Sequence, residues 1–182
     1  LIHADDRSSL LPPWVVMNYP AIFDVLKDLR LTPCADPGCI YCRSRLNHQT
    51  ALREWFGFEH FKEFDDKPLQ EEVVKASLAH DSLLSILPTG GGKSMTFQLP
   101  ALMIGQATQA LTVVISPLQS LMKDQVDNLR TKGIEYAVTM NGLLSPLERQ
   151  EAIERVESGA TWLLYIAPES LRSKTIHKLL AG

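Results

Sequence analysis

Nowhere in the 182 residues does an apolar run approach the roughly 18 residues needed to span a bilayer, so no membrane-crossing helix is expected. Residues 1–11 mix Asp5, Asp6 and Arg7 with short apolar stretches and lack the order of a signal peptide. With neither segment, the expected compartment is the cytoplasm, or the nucleus if the source is eukaryotic. An excess of positive charge is missing too: 18 Lys and Arg against 21 Asp and Glu give a formal net charge of −3. That argues against a protein that coats nucleic acid through a broad basic face. It leaves room for one that grips a backbone in a narrow cleft with amides, hydroxyls and a few cations. No internal repeat or low-complexity tract occurs, which removes solenoids and repetitive linkers. The chain opens on Leu1 rather than Met, so an excerpt from a longer protein is expected.

What remains is ordinary packed-protein material. Hydrophobic residues make up 45%, enough for a folded core, and the length suits one good-sized domain with a small extra module. The pattern changes near residue 50, giving an expected module over 1–50 and an expected larger domain over 51–182. The first part is irregular, with Pro12, Pro13, Pro20, Pro33 and Pro37 and one helical pattern over 21–31. A second amphipathic stretch, 50–56, leads into an aromatic segment holding Trp55, Phe56, Phe58, Phe61 and Phe64.

From Pro68 onward strands and helices alternate. Pro68 suits a helix start, followed by Leu69, Val73, Val74 and Leu78 on one face. Buried strands are expected over 82–87, 111–116, 136–140 and 162–167, each short, apolar and rich in β-branched or aromatic residues. Helices are expected from about Lys93, over 118–129 with a stop at Gly133, from Ser145 to about Gly159, and over 170–180. Ser145, Pro146 and Glu148 supply a cap, a first-turn proline and a capping-box acid in order. Such alternation implies an α/β fold, a parallel sheet with helices on both faces, whose ligands bind at the carboxyl ends of the strands.

The chemistry concentrates in Thr89-Gly90-Gly91-Gly92-Lys93-Ser94, between an expected strand and an expected helix. Three glycines let the backbone curl so that its N–H groups converge on phosphate oxygens, with the positive end of the next helix behind them. Lys93 reaches toward β- and γ-phosphates, and the Ser94 hydroxyl suits Mg²⁺. Leu87 stands where the strict phosphate-loop pattern has glycine, so only the last part of that pattern is matched. Kinases, transporters and motors share such a loop.

All three cysteines fall before residue 48. Cys34, Cys39 and Cys42, with His48 after five intervening residues, offer three thiolates and an imidazole, a workable tetrahedral Zn²⁺ set. In a cytosolic setting this density suggests metal rather than disulfide. Zinc would staple the proline-rich module to the larger domain or shape a surface for a protein partner.

The wording around the glycine loop is more specific than the loop. Residues 88–94, followed by Phe97-Gln98-Leu99-Pro100-Ala101-Leu102, resemble the first motif of RecQ-family helicases of superfamily 2. Ser116-Pro117-Leu118-Gln119-Ser120-Leu121-Met122-Lys123-Asp124-Gln125 resembles that family's next motif, and Asn141 and 164–169 are similar to two further landmarks. The resemblance covers about residues 52–180 and implies a RecA-like P-loop domain that binds ATP and Mg²⁺. It further implies an ATP-dependent DNA helicase moving 3′ to 5′ on single-stranded or partly duplex DNA, in repair and recombination. Ser116, Ser120, Lys123 and Asn141 are implied backbone contacts. Residues 52–58 and 67–70 are similar to the family's adenine-recognition motif, implying Gln70 on the adenine edge, a nearby cation at Lys67 and a stacking aromatic. Extra residues at about 61–66 leave Phe58 and Phe64 both open for that last role. Ser170 stands where the family usually has arginine. The family's Asp-Glu-x-His acid pair, which orients the attacking water, does not occur. This stretch alone is therefore expected to bind nucleotide but to hydrolyse it poorly. An RNA helicase is the near rival, a nucleotide-switched scaffold without motor activity is the rival of another class, and a small-molecule kinase is a weaker third.

Overall fold

Three of the four segments expected as strands pair into one parallel sheet, β1 (Thr112–Ile115), β2 (Ala137–Met140) and β3 (Leu163–Ile166), in the order β1-β3-β2. The register sets Thr112 and Ala137 beside Leu163, and Ile115 and Met140 beside Ile166. β3 lies between two neighbours, and all four of its residues are buried, as its unbroken apolar run requires. The structure, a computed structural model, describes residues 12–181; residues 1–11, read above as unlike a signal peptide, lie outside the described residues.

The fourth strand expectation is corrected. Residues 82–87 form no strand: Leu84 is 88% and Ile86 84% exposed, and Leu87 alone is buried. Apolar composition supplies side chains for a core, but a strand also needs a neighbour for its N–H and C=O groups. Among the described residues this segment has no such neighbour.

Side chains alternate across a strand, and here the two faces collect different helices. The helices before β1 are α1 (Pro13–Asn18), α2 (Ile22–Leu31), α3 (Ile40–Arg45), α4 (His48–Phe56), α5 (Leu69–Leu78) and α6 (Lys93–Thr108). Those after it are α7 (Gln119–Thr131), α8 (Pro146–Glu157) and α9 (Lys174–Ala181). Leu163, Tyr165, Ala137 and Val114 pack with Leu52 of α4, Val74 of α5, α6, and Met122, Val126 and Leu129 of α7. Leu164, Ile166, Val138, Met140 and Val113 pack with Ala152, Ile153 and Val156 of α8 and Ile176 and Leu179 of α9. Helices on both faces are thus present, as the α/β expectation required.

Ten of the sixteen α6 residues are buried, so this helix is apolar nearly all round and runs through the interior. Gly105 lets it sit directly on an indole: a Cβ there would lie 2.3 Å from Trp162 Cγ. Trp162 in turn stacks on Tyr136 at 3.7 Å and meets Trp55 edge-on at 6.3 Å. α2 docks on the same helix with Leu26 buried, and Arg30 Nη1 donates to Ala107 O at 3.3 Å, in the last turn of α6.

The helix-start expectation at Ser145 holds. Glu148 N donates to Ser145 Oγ, and Ser145 N donates to Glu148 Oε2 at 2.8 Å, a complete capping box. The helix expected over 170–180 is divided, with a 3-10 turn at Pro168–Arg172 ahead of α9. α1 and α3 were not legible, because six residues are too few to show a helical period.

Candidate nucleotide site and nucleic-acid cleft

Three features make residues 90–92 a turn that only glycine can form. Gly90 and Gly92 hold φ of +75° and +70°, in the left-handed region. A Cβ on Gly91 would stand 2.8 Å from Pro88 O, and one on Gly92 would stand 2.5 Å from Gln70 Nε2. Gly92 is also the N-cap of α6 and offers no side-chain cap, so the first-turn N–H groups of a sixteen-residue helix face the loop without one. This backbone cradle fits a phosphate. Lys93 Nζ lies over it, donating to Leu87 O at 2.7 Å and Pro88 O at 3.2 Å. Ser94 follows on the first turn of α6, and Thr89 is exposed in the loop.

Gln70, expected on the adenine edge, lies against the phosphate loop. Its side chain is 2% exposed, Oε1 accepts from Lys62 N at 2.7 Å, and Nε2 donates to Gly91 O at 3.2 Å and Gly92 O at 3.3 Å. The amide expected on the adenine edge braces the phosphate loop from behind.

The extra residues ahead of it form a tight hairpin. Asp65 and Asp66 have φ of 51° and 57°, and Phe64 and Lys67 exchange two backbone hydrogen bonds of 3.0 Å each. The hairpin carries Phe64 to the loop, where a Cβ on Gly91 would meet Phe64 Cζ at 3.2 Å. Phe58 is elsewhere: it is half exposed, with Lys132 Nζ 5.6 Å from its ring centre. Of the two open aromatics, Phe64 is the one beside the loop. Lys62 is the cation bonded to the loop, its Nζ donating to Gly90 O at 3.0 Å; both it and Lys67 are exposed. Lys62 was passed over, although its place directly after Phe61 in the aromatic segment was the available signal.

The three parallel strands end at the same edge of the sheet, and beyond it the four expected DNA-contact residues separate into two kinds. Ser120, Lys123 and Asn141 line one cleft of about 500 Å³ between α7 and the β2–α8 side. Lys123, Arg130 and Arg155 share it with Asp127, Glu148 and Glu151, so it is mixed in charge rather than basic. Asn141 is 6% exposed, and its amide shapes its own turn: Oδ1 accepts from Leu143 N at 2.9 Å and Nδ2 donates to Thr139 Oγ1 at 3.3 Å. Ser116 is not part of the cleft lining; its Oγ accepts from Leu118 N at 3.4 Å where β1 turns into α7. Glu169, next to the departing Ser170, accepts from Gln119 Nε2 at 3.4 Å.

A buried polar link joins the two regions. Gln98 Nε2, on α6, donates to Gln125 Oε1 on α7 and to Tyr165 Oη on β3, each at 2.8 Å. Burial pushes the Tyr165 phenol up to about 12, so it stays protonated and keeps its hydrogen-bonding role. Both glutamines fell inside resembling strings, yet their contact with each other needed the fold.

The cysteines come together but His48 does not join them. The Sγ atoms of Cys34, Cys39 and Cys42 lie within 4.8 Å of one another. His48 opens α4, points its Nε2 to Glu71 Oε1 at 2.8 Å and lays its ring 5.8 Å from Phe61. Glu71 is also paired with Lys75 at 2.7 Å, and its carboxyl is held down at about 2, first by the Lys75 hydrogen bond and then by His48. The four-ligand expectation is corrected to three, because the start of a helix docked on α5 sets the direction of the imidazole.

Residues 67–180 match the DEAD/DEAH box helicase family. The chain is 40% identical over 136 residues to the ATP-dependent DNA helicase RecQ of Synechocystis, covering 75% of this chain and 26% of that protein. It is 41% identical over 134 residues to RecQ of Bacillus subtilis and 38% over 132 to RecQ of Haemophilus influenzae. These cover 74% and 72% of this chain but 21% and 20% of the relatives, so the chain spans about a quarter or less of their length. Among the described residues no helix is long and apolar enough to cross a membrane. With the glycine cradle, the parallel sheet and a family match over most of its length, the chain belongs to the DEAD/DEAH box helicases, and the relatives it resembles are RecQ helicases.

Proposed function

We propose that this chain is the ATP-binding front part of an ATP-dependent DNA helicase or translocase that moves 3′ to 5′ on single-stranded or partly duplex DNA. The observation that carries the reading is the loop at 90–92, which only glycine fits, feeding an uncapped helix start with Lys93 and Ser94. ATP with Mg²⁺ supplies the phosphoryl group whose transfer to water drives such motors. Lys93 exchanges its loop carbonyls for phosphate oxygens, Ser94 takes the metal side, and Lys62 and Gln70 hold the loop in shape. Phe64 offers the aromatic surface for the base. Lys123 and Ser120 meet the DNA backbone across the cleft. Residues 51–182 form the motor part, and residues 1–50 form an attached module. Trp14, Met17, Phe23 and Leu29 are all more than half exposed there, a surface suited to a protein partner.

The test is ATP hydrolysis by the longer protein that carries this chain, with and without single-stranded DNA, beside its Lys93→Ala form. DNA-stimulated hydrolysis that disappears in the variant is expected. Hydrolysis that ignores nucleic acid would sink the motor and favour a nucleotide-switched scaffold.

A further inference from the structure

We propose that Cys34, Cys39 and Cys42 form a three-thiolate zinc site that staples the end of α2 to the start of α3, with water as its fourth ligand. The proposal is independent of the motor reading, since no residue of it touches the phosphate loop or the cleft.

The sulfur geometry suits a single tetrahedral ion. All three Sγ atoms lie within 4.8 Å of one another, and Cys42 Sγ is 3.5 Å from Cys34 Sγ. Two thiolates on one tetrahedral zinc, at about 2.3 Å each, stand about 3.8 Å apart. None of the three is in a disulfide. Cys34 N donates to Cys42 Sγ at 3.3 Å, the kind of outer hydrogen bond that orients a ligating sulfur and holds its charge.

The loop that brings them together is built by local bonds. Asp36 Oδ1 accepts from Gly38 N at 2.8 Å, and Asp36 O accepts from Cys39 N at 3.2 Å, closing a turn between the first two cysteines. Cys39 is the N-cap of α3 and Cys42 sits in its first turn, so the helix itself fixes their spacing. Cys34 is exposed, which leaves one side of the cluster open to solvent. Among the described residues no imidazole or carboxylate joins the group, and His48 is engaged with Glu71.

The position of the cluster gives it a structural task. Tyr41, between the second and third cysteines, donates its hydroxyl to Arg30 O at 2.9 Å, and Arg30 reaches the last turn of α6 at Ala107. α3 itself packs on α4. An ion here would lock α2 and α3 together at the point where the module grips the far end of the phosphate-loop helix. A six-residue helix with no buried side chain gains little stability from its own hydrogen bonds.

The experiment is metal analysis of the full chain purified under reducing conditions, followed by zinc removal and Co²⁺ substitution. One zinc per chain is expected, with a Co²⁺ spectrum showing thiolate charge transfer and tetrahedral d–d bands. Cys34→Ser, Cys39→Ser and Cys42→Ser should each lose the metal, while His48→Ala keeps it. Should a serine variant fail to fold, the Co²⁺ spectrum of the unaltered chain, with its count of thiolates, decides alone. A reduced chain that takes up neither zinc nor cobalt, with all three thiols open to alkylation, would overturn the proposal. Loss of metal in His48→Ala would overturn the three-thiolate set.

Discussion

In the glycine loop the inner surface is backbone, and the neighbouring side chains press on it from behind. Gln70 and Lys62 both bond loop carbonyls, and Phe64 fills the space against Gly91. In the cleft between α7 and α8 the arrangement is reversed. There the lining groups are side chains, and Asn141 already spends its amide on its own turn. A backbone site tolerates one residue type at each position, so a change there removes function at once. A side-chain site divides each residue between shaping and contacting, so single changes there give graded losses.

The largest effect is therefore expected at Gly92. Gly92→Ala must hold a Cβ at φ +70°, 2.5 Å from Gln70 Nε2. The left-handed conformation costs about 1 kcal/mol, and moving Gln70 breaks two more bonds to the loop. Nucleotide affinity, read by titration with a fluorescent ATP analogue, should fall by more than about tenfold while circular dichroism shows the fold retained. An unchanged affinity would remove the loop from the site. Lys93→Ala should match it in nucleotide affinity and leave DNA binding alone, since Lys93 touches nothing in the cleft.

Legibility follows the same division. The glycine loop, the capping box at Ser145 and the three paired strands were readable because each is written in adjacent residues. The strand expected at 82–87 failed because pairing depends on a neighbour that the local pattern does not specify. Gln70 was recognised, but its burial against Gly91 and Gly92 was not, and that Phe64 rather than Phe58 lies beside the loop needed the hairpin at Asp65 and Asp66. His48 stood at a ligand's distance in sequence yet faces Glu71, since direction is set by the helix it begins. Residue type was legible, and direction was not.

The cleft gives the next, smaller effects, and two substitutions separate shaping from contact. Asn141→Ala should lower stability by about 1 kcal/mol, because Leu143 N and Thr139 Oγ1 lose the buried amide that shapes their turn. DNA affinity should fall with it. Lys123→Ala should leave thermal stability unchanged and weaken DNA binding uniformly across sequences. Its mark is a slope of log affinity against log salt reduced by about 1. If Asn141→Ala changes DNA binding at full stability, the contrast drawn between the two regions breaks on the cleft side.

The smallest effect is a pH dependence on the loop side. Glu71 follows Gln70 on α5, and its carboxyl is held at about 2, chiefly by Lys75 and then by His48. A carboxyl lowered in the folded state prefers its charge there, so it adds stability above the usual value of about 4.3 and loses that contribution as pH falls toward 2. Lys75 is 56% exposed, so solvent screens its share and the effect is modest. Glu71→Gln should flatten the acid limb of a stability-versus-pH curve between those limits, read by thermal melting, and leave the curve above pH 5 parallel to that of the unaltered chain. His48→Ala should flatten it only in part, since the Lys75 bond remains. The carboxyl ties α4 to the helix whose Gln70 braces the glycine loop. Acid should therefore slacken nucleotide binding through this tie, while on the cleft side it acts through Glu148, whose carboxyl is held down by its hydrogen bonds with Ser145. An acid limb that Glu71→Gln leaves unchanged would place the pH sensitivity elsewhere and remove this brace from the loop side.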